Sequence, residues 1–219
     1  MKKNLLYIGN KLSEHGLTVT SIETLGILLE NEGYNLLYAS TKKNKTVRLV
    51  DMLLTTLKNR KHIDYVLIDT YSTYNFWYAF LVSQLCRILK LKYIPKLHGG
   101  DLPHRLIKNP KLCRMIFKNA YRNVAPSAYL LDAFKNRDFA ELIYIPNTIE
   151  LHKYPFKLRP DTFPKLLWVR SFTSIYNPEM ALKVFYELQK DFPDCELCMV
   201  GPDKDGTLIK FRRWRLNCS

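Results

Sequence analysis

Leu166-Leu167-Trp168-Val169 is an apolar run of strand length, and Glu196-Leu197-Cys198-Met199-Val200 repeats it before breaking at Gly201-Pro202. Between them Asn177-Pro178 opens a stretch in which Ala181, Leu182, Val184, Phe185 and Leu188 recur at helical spacing. Proline suits a first helical turn and asparagine suits the cap before it. Together these segments spell one β-α-β unit. A lone unit of this kind cannot cover both faces of a parallel sheet. The chain ends 17 residues after Gly201-Pro202. The expectation is therefore a unit that leans on the domain before it, or a fragment of a two-domain protein.

Working back toward residue 1, strand and helix alternate. Leu5–Ile8 is a short apolar strand ending at Gly9-Asn10, and a helix is predicted over Ser21–Asn31. Thr20 or Ser21 caps that helix and Gly33 stops it. Tyr34–Ala39 is the second strand. Thr46–Arg60 is an amphipathic helix with Val47, Val50, Leu53, Leu54 and Leu57 on one face. Tyr65–Ile68, closed by Asp69, is the third strand. The helix from Thr73 to Leu89 is apolar nearly all round and is expected to be buried. Tyr93–Leu97 ends at His98-Gly99-Gly100-Asp101, and a basic, partly helical stretch follows to Tyr121. Asn123–Ala125, a helix from Ser127 to Asn136, and Leu142–Ile145 ending at Pro146-Asn147 complete the pattern.

This alternation predicts an α/β fold: one Rossmann-like open parallel sheet with helices on both faces, followed by an incomplete second Rossmann-like domain. Ligands of such sheets bind beyond the carboxyl ends of the strands. Gly9, Asn10, Asp69, Thr70, the His98–Asp101 run, Ser127 and Asn147 should share that edge. The expected division is residues 1–149, a connection over 150–164 holding Pro155, Pro160 and Pro164, and a partial domain over 165–219.

The chain has 219 residues, which suits one large domain or one complete domain plus part of another, and 47% of them are hydrophobic, enough for a real core. Its net charge of +14 is unevenly spread. Residues 87–122 carry ten Lys and Arg against Asp101 alone, and residues 42–61 carry seven against Asp51. Such a field attracts anionic headgroups, a nucleotide diphosphate or nucleic acid. Nucleic acid is set aside: no recognition motif accompanies the charge, and helices are expected to cover the sheet. Leu106, Phe117 and Tyr121 lie among the charges and are candidates for contact with an anionic membrane. The longest aromatic-aliphatic run, Phe76–Cys86, is too short to span a bilayer. Five irregularly spaced cysteines and no signal peptide before Leu5 read as reduced thiols in the cytoplasm. Cys195 and Cys198 fall on opposite faces of a strand-like run with no second pair to complete a zinc site, so no metal is expected.

Tyr144-Ile145-Pro146-Asn147, then Leu166-Leu167-Trp168-Val169-Arg170, then Asn177-Pro178-Glu179 resemble the interdomain segment of family-4 glycosyltransferases. Leu197-Cys198-Met199-Val200-Gly201-Pro202-Asp203 resembles the second donor-domain strand and its turn, and His98-Gly99-Gly100-Asp101 the family's His-Gly element. The resemblance implies the GT-B fold, in which an acceptor domain faces a nucleotide-sugar domain. It implies transfer of a sugar to a saccharide or lipid-linked acceptor with retention of configuration, no metal, and no cofactor beyond the nucleotide-sugar donor. The family's Gly-Arg reads Arg170-Ser171 here, and its paired glutamates have no counterpart between Gly201 and Ser219.

Such a reaction needs cations and backbone N–H groups to stabilise a leaving diphosphate. His98 is expected to bond the donor sugar or the reacting centre. Asp101 would accept from an acceptor hydroxyl or cap the next helix. Gly9, Asn10, Gly100, Asn147, Arg170 and Gly201 are expected to bind the nucleotide-sugar, with Gly9 and Gly100 allowing close backbone approach. The basic, acid-free stretch 208–219 reads as a prematurely ended or frameshifted frame, so the chain alone is expected to be inactive. The competing expectation is a non-catalytic basic module at the inner face of the membrane.

Overall fold

The computed structural model describes residues 2–16, 19–39, 41–149, 151–158 and 163–209. Pro160 of the predicted connection and residues 210–219 of the basic tail, Cys218 included, lie outside the described residues. The chain divides into two compact units, Met1–Glu150 and Leu151–Ser219.

The first unit is built on six parallel strands: β1 (Asn4–Ile8), β2 (Asn35–Ala39), β3 (Tyr65–Thr70), β4 (Lys92–Leu97), β5 (Asn123–Ala125) and β6 (Leu142–Tyr144). Their order across the sheet is β2-β1-β3-β4-β5-β6. Helices α1 (Ser21–Asn31), α2 (Lys45–Asn59), α3 (Phe76–Ile88), α4 (Leu102–Lys108), α5 (Pro110–Phe117) and α6 (Ala128–Lys135) join them. This is a Rossmann-like α/β sheet flanked by helices. The chain steps outward from β1 to β2, then returns past β1 to β3. Right-handed crossovers therefore put α1 on one face and α2 and α3 on the other. The reversal opens a crevice where the carboxyl ends of β1 and β3 part.

Local chemistry fixes the elements. Thr20 caps α1, and Glu23 reaches back to the Thr20 N–H at 2.9 Å and across to the Ser13 N–H at 3.0 Å. Burial works against the Glu23 carboxylate, but these hydrogen bonds hold its pKa below the ordinary value. The core runs through Leu6, Ile8, Val66, Ile68, Phe76, Val82, Leu97, Phe117 and Phe134. Both faces of β1 are covered, which explains its unbroken apolar run.

Three sequence expectations change. The apolar stripe of α2 does not face the core. Arg48 does: its guanidinium donates to the carbonyls of Lys42 and Lys43 and to Asn10 Oδ1, and Met52 and Thr56 are buried below it. Leu53 packs partly against the core, while Val47, Val50, Leu54 and Leu57 point outward. Helix α3 is not buried all round, since Trp77, Leu81 and Ile88 are exposed. Among the residues proposed to meet headgroups, Leu106 and Phe117 are core side chains, and Tyr121 alone reaches the surface.

The second unit pairs β7 (Lys165–Val169) with β8 (Glu196–Val200) in parallel, joined by α7 (Pro178–Asp191). Asn177, in the left-handed region at φ 46°, caps α7 by accepting from the Met180 N–H. Leu166, Trp168, Leu197 and Met199 are half-buried, and Leu167, Val169, Cys198 and Val200 are exposed. Cys195, by contrast, is buried.

Candidate functional site

Asp69 enters the site from β3, with its side chain fully buried. Its Oδ1 accepts from the Tyr7 hydroxyl at 3.1 Å and from His98 Nε2 at 2.9 Å. His98 is the first residue beyond β4, and its backbone N–H extends the ladder to the Thr70 carbonyl at 2.8 Å. The imidazole stacks on Tyr71 with ring centroids 4.8 Å apart and planes 17° apart. A carboxylate only accepts, so the shared proton sits on His98 Nε2, and in the neutral tautomer with that proton Nδ1 is an acceptor. Burial, and next the Asp69 charge, push the phenols of Tyr7 and Tyr71 well above the ordinary tyrosine value, so both stay protonated donors.

Lys96 stands beside Asp69 in the register of β4 against β3. Its ammonium donates to Ser21 Oγ at the first turn of α1. Burial lowers the lysine pKa, with Asp69 pulling the other way. Lys96 resists its proton in the folded state and takes it up freely when unfolded. Its contribution to stability is therefore full above the ordinary value of 10.5 and is lost as pH falls through the depressed folded value. The stability of the wild type relative to Lys96→Met should rise with pH in the window just below 10.5. Urea melts of both proteins across the alkaline range measure this, since the tyrosine titrations cancel in the difference. A flat difference would remove the assignment.

These groups open on a cavity of about 380 Å³ lined by Thr20, Ser21, Thr24, Tyr71, Lys96, His98, Asn147 and Thr148, with Val19 and Leu25. Hydroxyls, an amide, an imidazole and an ammonium converge there at the reversal of strand order. A larger hollow of about 510 Å³ beside β6 is lined by Leu131, Phe134, Phe139 and Leu142 with dispersed charges, and lacks that convergence.

The structure brings His98 and Asn147 together at this cavity. Gly9 lies behind it, where a Cβ would stand 2.6 Å from Asp69 Oδ2, so glycine is what lets the carboxyl group pack there. Asn10 holds Arg48 and, through its carbonyl, the Thr20 hydroxyl. Gly100 has open space around it, and its carbonyl accepts from Tyr129. Asp101 occupies the cap position of α4 without a capping bond and pairs instead with His104 at 3.3 Å, exposed to solvent. Arg170 and Gly201 belong to the second unit. The Arg170 guanidinium lies 5.5 Å from the Tyr176 ring. Gly201 is required by backbone: a Cβ there would run into the Arg170 carbonyl. Sequence reasoning placed Asp69 at the crevice but missed its bond to His98, and it missed Lys96 and Tyr71. The available signal was a charged residue interrupting an apolar strand, as at Ile68-Asp69 and Pro95-Lys96-Leu97.

No protein-family model matches the chain, and no curated protein matches it. Among solved structures, the chain is similar to one described as the glycotransferase of kitacinnamycin, at 11% identity and a TM-score of 0.44. The match covers 91% of this chain and 66% of that protein, so the chain spans just under two thirds of its length. No activity or residue role transfers at that distance.

Proposed function

We propose that the first unit is the acceptor side of a retaining glycosyltransferase of the GT-B type, resembling family 4, and that the second unit belongs to the side that holds a nucleotide-sugar donor. The observation that carries this reading is His98, held from behind by the buried Asp69, in the wall of a hydroxyl-rich cavity at the strand-order reversal. A sugar presents several hydroxyls at fixed spacing. Nδ1 of His98 accepts from one of them, and Asn147, Thr148 and Thr24 pair with others. The Lys96 ammonium favours an anionic group on the ligand. In the reaction, the bond from the anomeric carbon to the diphosphate oxygen breaks with its electron pair, a bond to an acceptor hydroxyl oxygen forms, and the hydroxyl proton passes to the departing diphosphate oxygen. The acceptor is a saccharide or a lipid-linked saccharide. Arg170, exposed just beyond β7, is the guanidinium assigned to the diphosphate.

The test is isothermal titration of the wild type, His98→Ala and His98→Gln with nucleoside-diphosphate sugars and, separately, with free oligosaccharides. Loss of the Nδ1 acceptor should weaken binding about tenfold in both variants. His98→Gln keeps a donor for Asp69 and so separates this loss from any effect on the fold. Equal binding by all three proteins, or no binding of either ligand class by the wild type, would sink the proposal.

A further inference from the structure

Helix α2 presents to solvent the face that a helix ordinarily hides. Val47, Val50, Leu54 and Leu57 recur at three- and four-residue spacing and are 51%, 48%, 46% and 40% exposed. The stripe they form is roughly 15 Å long. It lies nearly opposite the buried Met52 and Thr56. Single apolar residues on a surface need no explanation, but a continuous row of them does.

The ends of the row are basic. Lys42, Lys43 and Lys45 precede it, and Lys58, Arg60 and Lys61 follow it, with Asp51 the sole acid of residues 42–61. Lys42 and Lys43 border a groove of about 380 Å³ together with His15, Asn44 and Val47, and Glu14 is the acid that lines it. The loop is built rather than incidental. Arg48, itself 6% exposed, donates to both lysine carbonyls at 2.8 and 2.9 Å and so fixes the backbone that carries the two lysines beside the start of the stripe.

We infer that α2 and the Lys42-Lys43 loop form a docking surface for an anionic lipid bilayer, with the apolar stripe entering the acyl boundary and the lysines meeting headgroup phosphates. A charged rim around an apolar row is complementary to that partner on both counts. A second copy of the chain fits poorly, because apposed stripes would bring lysine against lysine. A nucleic acid would leave the stripe unused. No described helix is long and apolar enough to cross a membrane, so α2 lies in the interface plane. The other basic region, residues 87–122, is a weaker candidate. Its Leu106 and Phe117 are buried, and Arg114, Lys118 and Arg122 already pair with Asp138 and Glu141.

Co-sedimentation with phosphatidylcholine vesicles, with and without phosphatidylglycerol, at low and high salt tests the inference without reference to any sugar. The wild type should pellet with the phosphatidylglycerol vesicles and lose binding as salt rises. Val50→Ser with Leu54→Ser should weaken the partition about tenfold, while the melting temperature and far-UV spectrum hold. Lys42→Ser with Lys43→Ser should weaken it about fivefold per lysine and flatten the salt dependence. The inference is overturned if the wild type ignores phosphatidylglycerol at low salt. It is also overturned if the stripe variant pellets like the wild type, or if that variant changes the mass of a dimer instead of vesicle binding.

Discussion

Asp69→Ala should destabilise the first unit by about 3 kcal/mol, because it breaks a buried charged hydrogen-bonded group from one side. The Tyr7 hydroxyl, on a fully buried residue, and His98 Nε2, on a side chain 12% exposed at the cavity, both lose their acceptor. Each orphaned donor costs roughly 1–3 kcal/mol. Part of this is recovered, because Asp69 Oδ2 has no hydrogen-bond partner among the described residues and removing the carboxylate removes that burden. Thermal melting should show a drop of roughly 10 °C. Asp69→Asn keeps the shape and one acceptor, so it should cost about 1 kcal/mol. It should still weaken ligand binding, because a neutral amide oxygen in the Oδ1 position holds the Nε2 proton less firmly than a carboxylate does, so the tautomer with Nδ1 as acceptor is less favoured. The two variants therefore separate the fold from the site. Near-identical melting of Asp69→Ala and wild type would refute the buried triad of Tyr7, Asp69 and His98.

Much of the fold was legible because local chemistry and periodicity agreed. Thr20 and Glu23 announced α1, Asn177-Pro178 announced α7, and the limits read for Asn123–Ala125 and Glu196–Val200 are those observed. The α2 stripe was legible as a stripe but not as a surface. Periodicity reports which residues share a face and is silent on whether that face turns inward. The inward side was decided by Arg48, whose partners Lys42, Lys43 and Asn10 are placed by β1 and by the turn before α2. At the site, His98 stood out through its Gly-Gly neighbours, yet its pairing with Asp69 follows from β3 and β4 lying side by side in register. Strand order is not written in any local pattern. Gly201 was read as a ligand contact, whereas the close passage of Arg170 accounts for a glycine there.

Phe117→Ala should be the most damaging single change, at about 3–5 kcal/mol. Phe117 is wholly buried at the end of α5. Its ring meets Phe134 at 5.0 Å and Phe139 at 5.5 Å between centroids. Its carbonyl accepts from the Ala140 N–H at 3.0 Å and from Asn123 Nδ2 at 2.9 Å, so the same residue anchors the entry to β5 and the turn before β6. Truncation empties the centre of the three-ring cluster and loosens both anchors. Leu54→Ser, in contrast, alters an exposed residue and should stay within about 0.5 kcal/mol of the wild type. Urea denaturation of the two variants decides between opposite readings of two apolar residues that each lie among lysines in the sequence. If Phe117→Ala lost less than Leu54→Ser, the basic stretch 87–122 would regain its apolar anchors and α2 would lose its claim on the membrane. With the expected order, the lysines and arginines around α5 are a solvated cover over a core, and the exposed row on α2 is left as the surface that needs a partner.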